Sequence, residues 1–165
     1  MSKTKKLSNC PPASETAAKP DSPAELKARA LRYLVRREHS RAELARKLAP
    51  HAESPQAAEA VLNLLLSKKQ QSDERFASER ARVLSRKYGA AHIRHDLKSR
   101  GVSAEISEKV SSDLNELGRA KAILQRKYRE PATTREEHAK HSRFLQSRGF
   151  SYDIIRSVLS SRDDE

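Results

Sequence analysis

The sequence has one cysteine, no tryptophan, four glycines and only seven aromatic residues, four of them tyrosine and three phenylalanine. Each shortage excludes something. A lone Cys10 cannot build a disulfide framework and leaves no cysteine cluster for a structural zinc. Gly89, Gly101, Gly118 and Gly149 never fall close enough together for a phosphate-cradling loop. Four glycines and seven prolines are also too few for a turn-rich β-sandwich. Hydrophobic residues make up 36% of the chain and charged residues 34%, where ordinary domains hold ~45–50% and ~25%, so the composition argues against a deep core or a wide sheet. The longest run of large apolar residues, Leu64-Leu65-Leu66, falls far short of the ~18 residues of a membrane span. The basic start, Met1 to Leu7, lacks the apolar stretch of a secretory signal. A soluble, intracellular protein without a cofactor is the expectation.

What the chain does contain is helix-forming residues and positive charge. Ala, Leu, Arg, Lys, Glu and Ser dominate. Among its 165 residues, 34 Lys and Arg against 22 Asp and Glu leave a formal charge of +12. Such a balance points to a polyanion or an acidic protein surface as partner. The 165-residue length fits one or two ordinary domains. Residues 1–22 are polar, hold Pro11, Pro12 and Pro20, and show no hydrophobic period, which predicts a disordered tail of charge +2.

Internal repetition is the most informative signal. Leu34-Val35 falls on Val83-Leu84 at an offset of 49 residues, and at the same offset Arg37 falls on Arg86, Leu44 on Ile93, Leu48 on Leu97, Val61 on Val110 and Leu65 on Leu114. A third copy follows, since Leu97-Lys-Ser-Arg-Gly-Val-Ser103 returns as Leu145-Gln-Ser-Arg-Gly-Phe-Ser151. Leu84-Ser-Arg-Lys-Tyr88 likewise resembles Leu124-Gln-Arg-Lys-Tyr128, and on that match the third copy carries eight extra residues around Pro131. A period of ~40–50 residues in a helical sequence signals stacked units. The units expected are 23–70, 71–115 and 116–165.

Start and stop signals divide each copy into three helices. In the first, Ser40-Arg-Ala-Glu43 reads as a capping box and Ser54-Pro55 as the start of a helix with the apolar face Ala58, Val61, Leu62, Leu65 and Leu66. In the second, Ser72 opens a helix with Phe76, Val83 and Leu84 inward, Gly101 closes the next, and Ser103 caps the last. In the third, Leu117, Leu124 and Tyr128 mark the first helix. Thr134-Arg-Glu-Glu137 is a second capping box, and Ser151 caps the final helix with Phe150 and Ile155 as a hydrophobic staple. The predicted fold is all-α: three tandem three-helix, helix-turn-helix-like repeats in an elongated, curved array.

Few constellations suggest catalysis. His92 with His95 and His138 with His141 have a spacing that can bind metal on a helix face, though packed or solvated histidines explain them as well. Carboxylates mostly lie four residues from a cation, as Glu43 does from Lys47, which reads as surface ion pairing. No enzyme activity, metal site or cofactor is expected. The Ser-Arg-Gly turns resemble those of DNA-reading helix-turn-helix motifs. Yet the helices that follow open on Glu105, Glu108 and Asp153, which a phosphate backbone repels.

The basic residues recur at matching places. Charge is +5 over 24–70, +1 over 71–118 and +4 over 119–165, concentrated on the first helices and their ends. The candidate partner- or DNA-binding residues are Arg32, Arg36, Arg37, Arg86, Lys87, Arg94, Arg126, Lys127, Arg143 and Arg148. A row of such patches suits a long polyanion or an acidic protein polymer. Little aromatic interleaving accompanies it, so base stacking is not the main source of affinity.

Four stretches resemble one family: Ala30-Leu-Arg-Tyr-Leu-Val-Arg-Arg-Glu-His-Ser-Arg-Ala-Glu-Leu44, Ser72-Asp-Glu-Arg-Phe-Ala77, Lys87-Tyr-Gly-Ala-Ala-His-Ile-Arg94 with Leu97 and Gly101, and Arg143-Phe-Leu-Gln-Ser-Arg-Gly-Phe150. They are similar to the RecX regulatory proteins over about residues 26–159, with Ala90 where the family commonly has Pro. The resemblance implies three tandem three-helix units in a cytoplasmic bacterial protein, expected here to be a monomer. Such proteins bind the RecA recombinase filament along its groove and lower its ATP hydrolysis, strand exchange and stimulation of SOS-repressor self-cleavage. DNA is contacted directly or through the filament. The family carries no catalytic residues, and its motifs do not fix the contact residues. Two rival readings stay open: a basic helix-turn-helix-like protein acting on naked DNA, and a metal-dependent nuclease.

Overall fold

The structure, a computed structural model, describes residues 19–112 and 114–163. Among these are nine α-helices and no strand. Unit 1 comprises α1 (Pro23–Arg36), α2 (Arg41–Leu48), a single 3-10 turn (Ala49–His51) and α3 (Pro55–Ser67). Unit 2 comprises α4 (Asp73–Leu84), α5 (Ala90–Ser99) and α6 (Ala104–Ser112). Unit 3 comprises α7 (Glu116–Lys127), α8 (Arg135–Ser147) and α9 (Tyr152–Asp163). The most of the segment expected to be a tail, together with Cys10, lies outside the described residues. Its described end is engaged in unit 1. Asp21 pairs with Arg29 at 2.6 Å and its N–H donates to the His51 carbonyl, while Ser22 and Glu25 form a capping box on α1.

Each unit closes its own core. Leu26, Ala30, Leu44, Leu48, Val61, Leu62 and Leu65 fill unit 1. Phe76, Ala77, Ala81, Ile93, Leu97 and Val102 fill unit 2, and Ala120, Leu124, Leu145, Phe150, Ile155 and Val158 fill unit 3. The i, i+3, i+4 spacing of these residues places them on one face of each helix. Two residues read as inward face outward instead, Leu66 at 50% exposed and Val83 at 47%, and Leu117, which marks the start of α7, is 38% exposed. Each sits on the shoulder of its apolar stripe, where a short three-helix bundle has no fourth element to cover it.

Most caps follow the sequence signals. Ser54, Ser72, Ser103 and Ser151 each accept a backbone N–H three residues on, and Thr134 with Glu137 completes a box on α8. Ser40 accepts from Glu43, but Glu43 does not return the bond. Its buried carboxylate accepts from Arg37 at 3.0 Å and from Arg100 of unit 2 at 2.5 Å. Nor does Glu43 pair with Lys47, whose ammonium lies over the Tyr33 ring. The capping box and surface pair read at this position are both replaced by an ion pair joining two units.

The Ser-Arg-Gly words join the units as well as turning corners. Gly101 has φ +79° and Gly149 φ +82°, a left-handed conformation that glycine adopts without strain. Each also lies against the preceding unit, so a Cβ at Gly101 would strike the Ala42 side chain and one at Gly149 the backbone of His92. The turn tips meet the first residues of the preceding unit's middle helix. Ser40 donates its hydroxyl to the Arg100 carbonyl at 2.6 Å. At the second junction the Gly89 N–H donates to the Arg148 carbonyl at 2.9 Å and the Ala91 N–H to the Gly149 carbonyl at 3.2 Å. The next unit's first helix adds a carboxylate at both places. Arg41 N–H donates to Asp73 at 2.7 Å, and Ala90 N–H to Glu116 at 2.9 Å. Donors that open a helix have no partner within it, and here the following unit supplies theirs.

These contacts fix the true register between units 2 and 3. Their first helices correspond at an offset of 43, with Ser72 and Asn115 as caps. Their middle helices end at Ser99 and Ser147, an offset of 48. Unit 3 therefore carries five extra residues rather than eight. Three of them lengthen α8, which has 13 residues where α5 has 10. The word match of Leu84–Tyr88 with Leu124–Tyr128 is a likeness of helix ends and not the structural correspondence.

Candidate functional site

The basic residues divide by what they touch. Arg37 is committed to Glu43, and its guanidinium also donates to the Glu38 carbonyl. Arg94 pairs with Glu108 at 3.3 Å on an exposed surface, a weak contact. Arg32, Arg36 and Arg143 are exposed and make no ion pair among the described residues. Arg86, Lys87, Arg126 and Lys127 share that state, and the fold draws them together.

They meet Arg148 in one cleft of about 520 Å³ between units 2 and 3. Arg86, Lys87 and Tyr88 follow the end of α4; Ile123, Arg126 and Lys127 lie one turn apart on α7; Phe144 lies in the last turn of α8 and Arg148 caps its end. Tyr88, Ile123 and Phe144 form the apolar part of the wall. The Arg148 guanidinium lies 5.4 Å from the centre of the Tyr88 ring and 5.3 Å from that of Phe144, a cation–π placement that holds it in the cleft. Tyr88 in turn stacks on His92 at 3.9 Å between ring centres. Among the described residues no carboxylate lines the cleft. Behind it Arg119 donates to the Ser85 and Tyr88 carbonyls at 3.4 and 3.3 Å, and burial lowers its pKa. Five of the ten candidate residues thus share one site. The sequence could not gather them, because the long-range partners of α7 and α8 are not written in any local spacing.

The cleft concentrates positive charge beside an apolar wall. Among the described residues no group of three or more His, Cys, Asp or Glu could hold a metal ion. His92 is occupied by Tyr88, and His141 is buried beside the Tyr128 ring at 4.1 Å. No described helix is long and apolar enough to cross a membrane.

The same units recur in known proteins. The family models for the first, second and third three-helix domains of RecX match residues 27–65, 72–110 and 115–159. Regulatory protein RecX of Leptothrix cholodnii is 44% identical over 142 residues, covering 85% of this chain and 90% of that protein. Regulatory protein RecX of Ralstonia nicotianae is 41% identical over 148 residues, 88% of this chain and 93% of that one. Among solved structures, RecX from Lactobacillus salivarius shares the fold with a TM-score of 0.78 at 21% identity, over 87% of this chain and 97% of that one. With identity above 40% along nearly the whole length of both sequences, and all three domain types in order, this chain belongs to the RecX family of regulatory proteins.

Proposed function

We propose that this protein binds the nucleoprotein filament of the RecA recombinase along its groove and lowers the filament's ATP hydrolysis, strand exchange and stimulation of SOS-repressor self-cleavage. It does so in the cytoplasm, as a monomer, with no catalysis of its own. The observation that carries this reading, beside family membership, is serial unpaired charge. Each unit presents cations at the end of its first helix: Arg32 and Arg36, then Arg86 and Lys87, then Arg126 and Lys127, all exposed. One unit gives modest affinity, and covalent linkage of three converts later contacts into intramolecular ones at a high effective concentration. A repetitive polymer is the ligand that rewards such a design. Bridging neighbouring protomers obstructs both strand entry and filament growth.

The test uses RecA filaments on single-stranded DNA, with ATP hydrolysis and light scattering as readouts. Arg36→Glu combined with Lys127→Glu is expected to weaken inhibition and to flatten the salt dependence of the remainder. Unchanged inhibition and salt slope would overturn the serial-charge reading. A protein acting on naked DNA would hold duplex as tightly as the filament. The exposed Glu105 and Asp153 at the starts of α6 and α9 weigh against that reading, because a recognition helix needs donors there.

A further inference from the structure

The two junctions between units are built alike and charged differently. At the offsets fixed by the fold, Arg37 corresponds to Arg86, Glu38 to Lys87, Glu43 to His92, Asp96 to Phe144 and Arg100 to Arg148. Both places form a pocket. The first, about 360 Å³, is lined by Arg37, Glu38, Phe76, Glu79, Arg80, Val83 and Arg100. There every arginine has a carboxylate. Arg37 and Arg100 share Glu43, Asp96 accepts from Arg80 at 2.8 Å and from Arg100 at 3.0 Å, and Arg75 reaches Glu38 at 2.8 Å. In the second pocket each of those acids is gone, replaced by a cation, an imidazole or a ring. Four of its five cations, Arg86, Lys87, Arg126 and Lys127, take no part in the docking, which is done by backbone groups, Glu116, Arg119 and the Arg148 guanidinium over the Tyr88 ring. Positive charges gathered in a cleft whose described lining holds no carboxylate raise the energy of the folded state unless a ligand neutralises them.

We propose that the second junction is a binding site for single-stranded nucleic acid. Arg86 and Lys87 from one side and Arg126 and Lys127 from the other take successive phosphates, while Arg148, Tyr88 and Phe144 offer a planar and apolar wall to a base. An acidic peptide satisfies the cations but leaves the wall unused. A duplex keeps its bases stacked inside and cannot turn one toward Ile123 and the rings. A single strand uses both parts. This goes beyond the filament reading and holds whether or not it does, because the ligand is the strand itself.

The experiment is fluorescence anisotropy of the full chain with a labelled deoxythymidine oligomer of about 16 nucleotides. Arg86→Glu with Arg126→Glu is compared with a charge-matched control, Arg46→Glu with Arg156→Glu, whose residues are exposed and outside both pockets. The cleft variant is expected to bind about tenfold more weakly or worse and the control to change by less than about twofold, with the salt slope reduced by about 1.4 for two lost single-strand phosphate contacts. Lys87→Glu, which restores the acid of the first junction at an exposed position, is expected to act in the same direction with an unchanged melting temperature. Equal losses in the cleft variant and the control overturn the proposal, as does no binding by the wild type. So does tighter binding of duplex than of single strand, or displacement of the oligomer by poly-glutamate of equal charge.

Discussion

Replacing Glu43 by Gln removes a charge while keeping the shape of the side chain, and so isolates the tie between units 1 and 2. Glu43 is 7% exposed, and both of its partners are arginines more open to solvent, 29% for the Arg100 side chain and 51% for Arg37. Breaking a fully buried pair costs about 3–5 kcal/mol, and an exposed one about 0–1 kcal/mol. A buried acid with half-screened partners falls between, at about 1–3 kcal/mol. For a chain of this size that lowers the melting temperature by roughly 2–4 °C per kcal/mol, hence about 2–12 °C. Calorimetry or circular dichroism at neutral pH measures it. Burial pushes the carboxyl's pKa up, but the bonds from Arg100 and Arg37 outweigh this and hold it below the ordinary value. A carboxyl with its pKa lowered by folding adds stability that is fully present above its unfolded pKa, about 4.3, and is lost as pH falls through the folded value. The gap between wild type and E43Q is therefore expected to be constant from neutral pH down to about pH 5 and to close below about pH 4. A variant melting within about 1 °C of wild type at pH 7, or a gap that widens in acid, would refute the reasoning.

Gly149→Ala is expected to cost more than Gly101→Ala, because both need a left-handed φ but the first collides with backbone and the second with a methyl group; about 1–3 kcal/mol is the backbone share for each, read from thermal melts. Thr134→Ala removes the hydroxyl half of the α8 box and is expected to cost about 0.5–2 kcal/mol, visible in denaturant titration. Leu145→Ala empties a fully buried site and is expected to cost about 2–5 kcal/mol, whereas Val83→Ser on its open shoulder stays within about 0.5 kcal/mol.

Periodicity, caps and repeats are local properties, and through them the helices and the three-unit order were legible in the sequence. Ser22-Pro-Ala-Glu25 carries the same signal as Thr134-Arg-Glu-Glu137, yet its cap, Ser22, is the last residue of the stretch whose prolines and polarity read as tail. The errors share one origin. Glu43 looked like half of a box because its neighbours in sequence fit that pattern, but its partner Arg100 is 57 residues away. Leu66 and Val83 matched the apolar period, and only the absence of a fourth helix leaves them in water. Of the candidate site, the cations themselves were readable. Which ones face carboxylates and which face one another depends on how units dock, and the sequence displays that only after the offsets of 43 and 48 are known.

The borrowed helix starts give the chain a direction. Gly89, Ala90 and Ala91 all hand their amide protons forward to unit 3, whereas α8 opens on Thr133, Thr134 and Glu137 and asks nothing of a successor. Removing unit 3 strips three amides of their acceptors at once; removing unit 1 strips mainly a carbonyl and a carboxylate, which water solvates readily. Truncation is thus asymmetric, and a fragment spanning units 2 and 3 is a sounder piece to study alone than one spanning units 1 and 2.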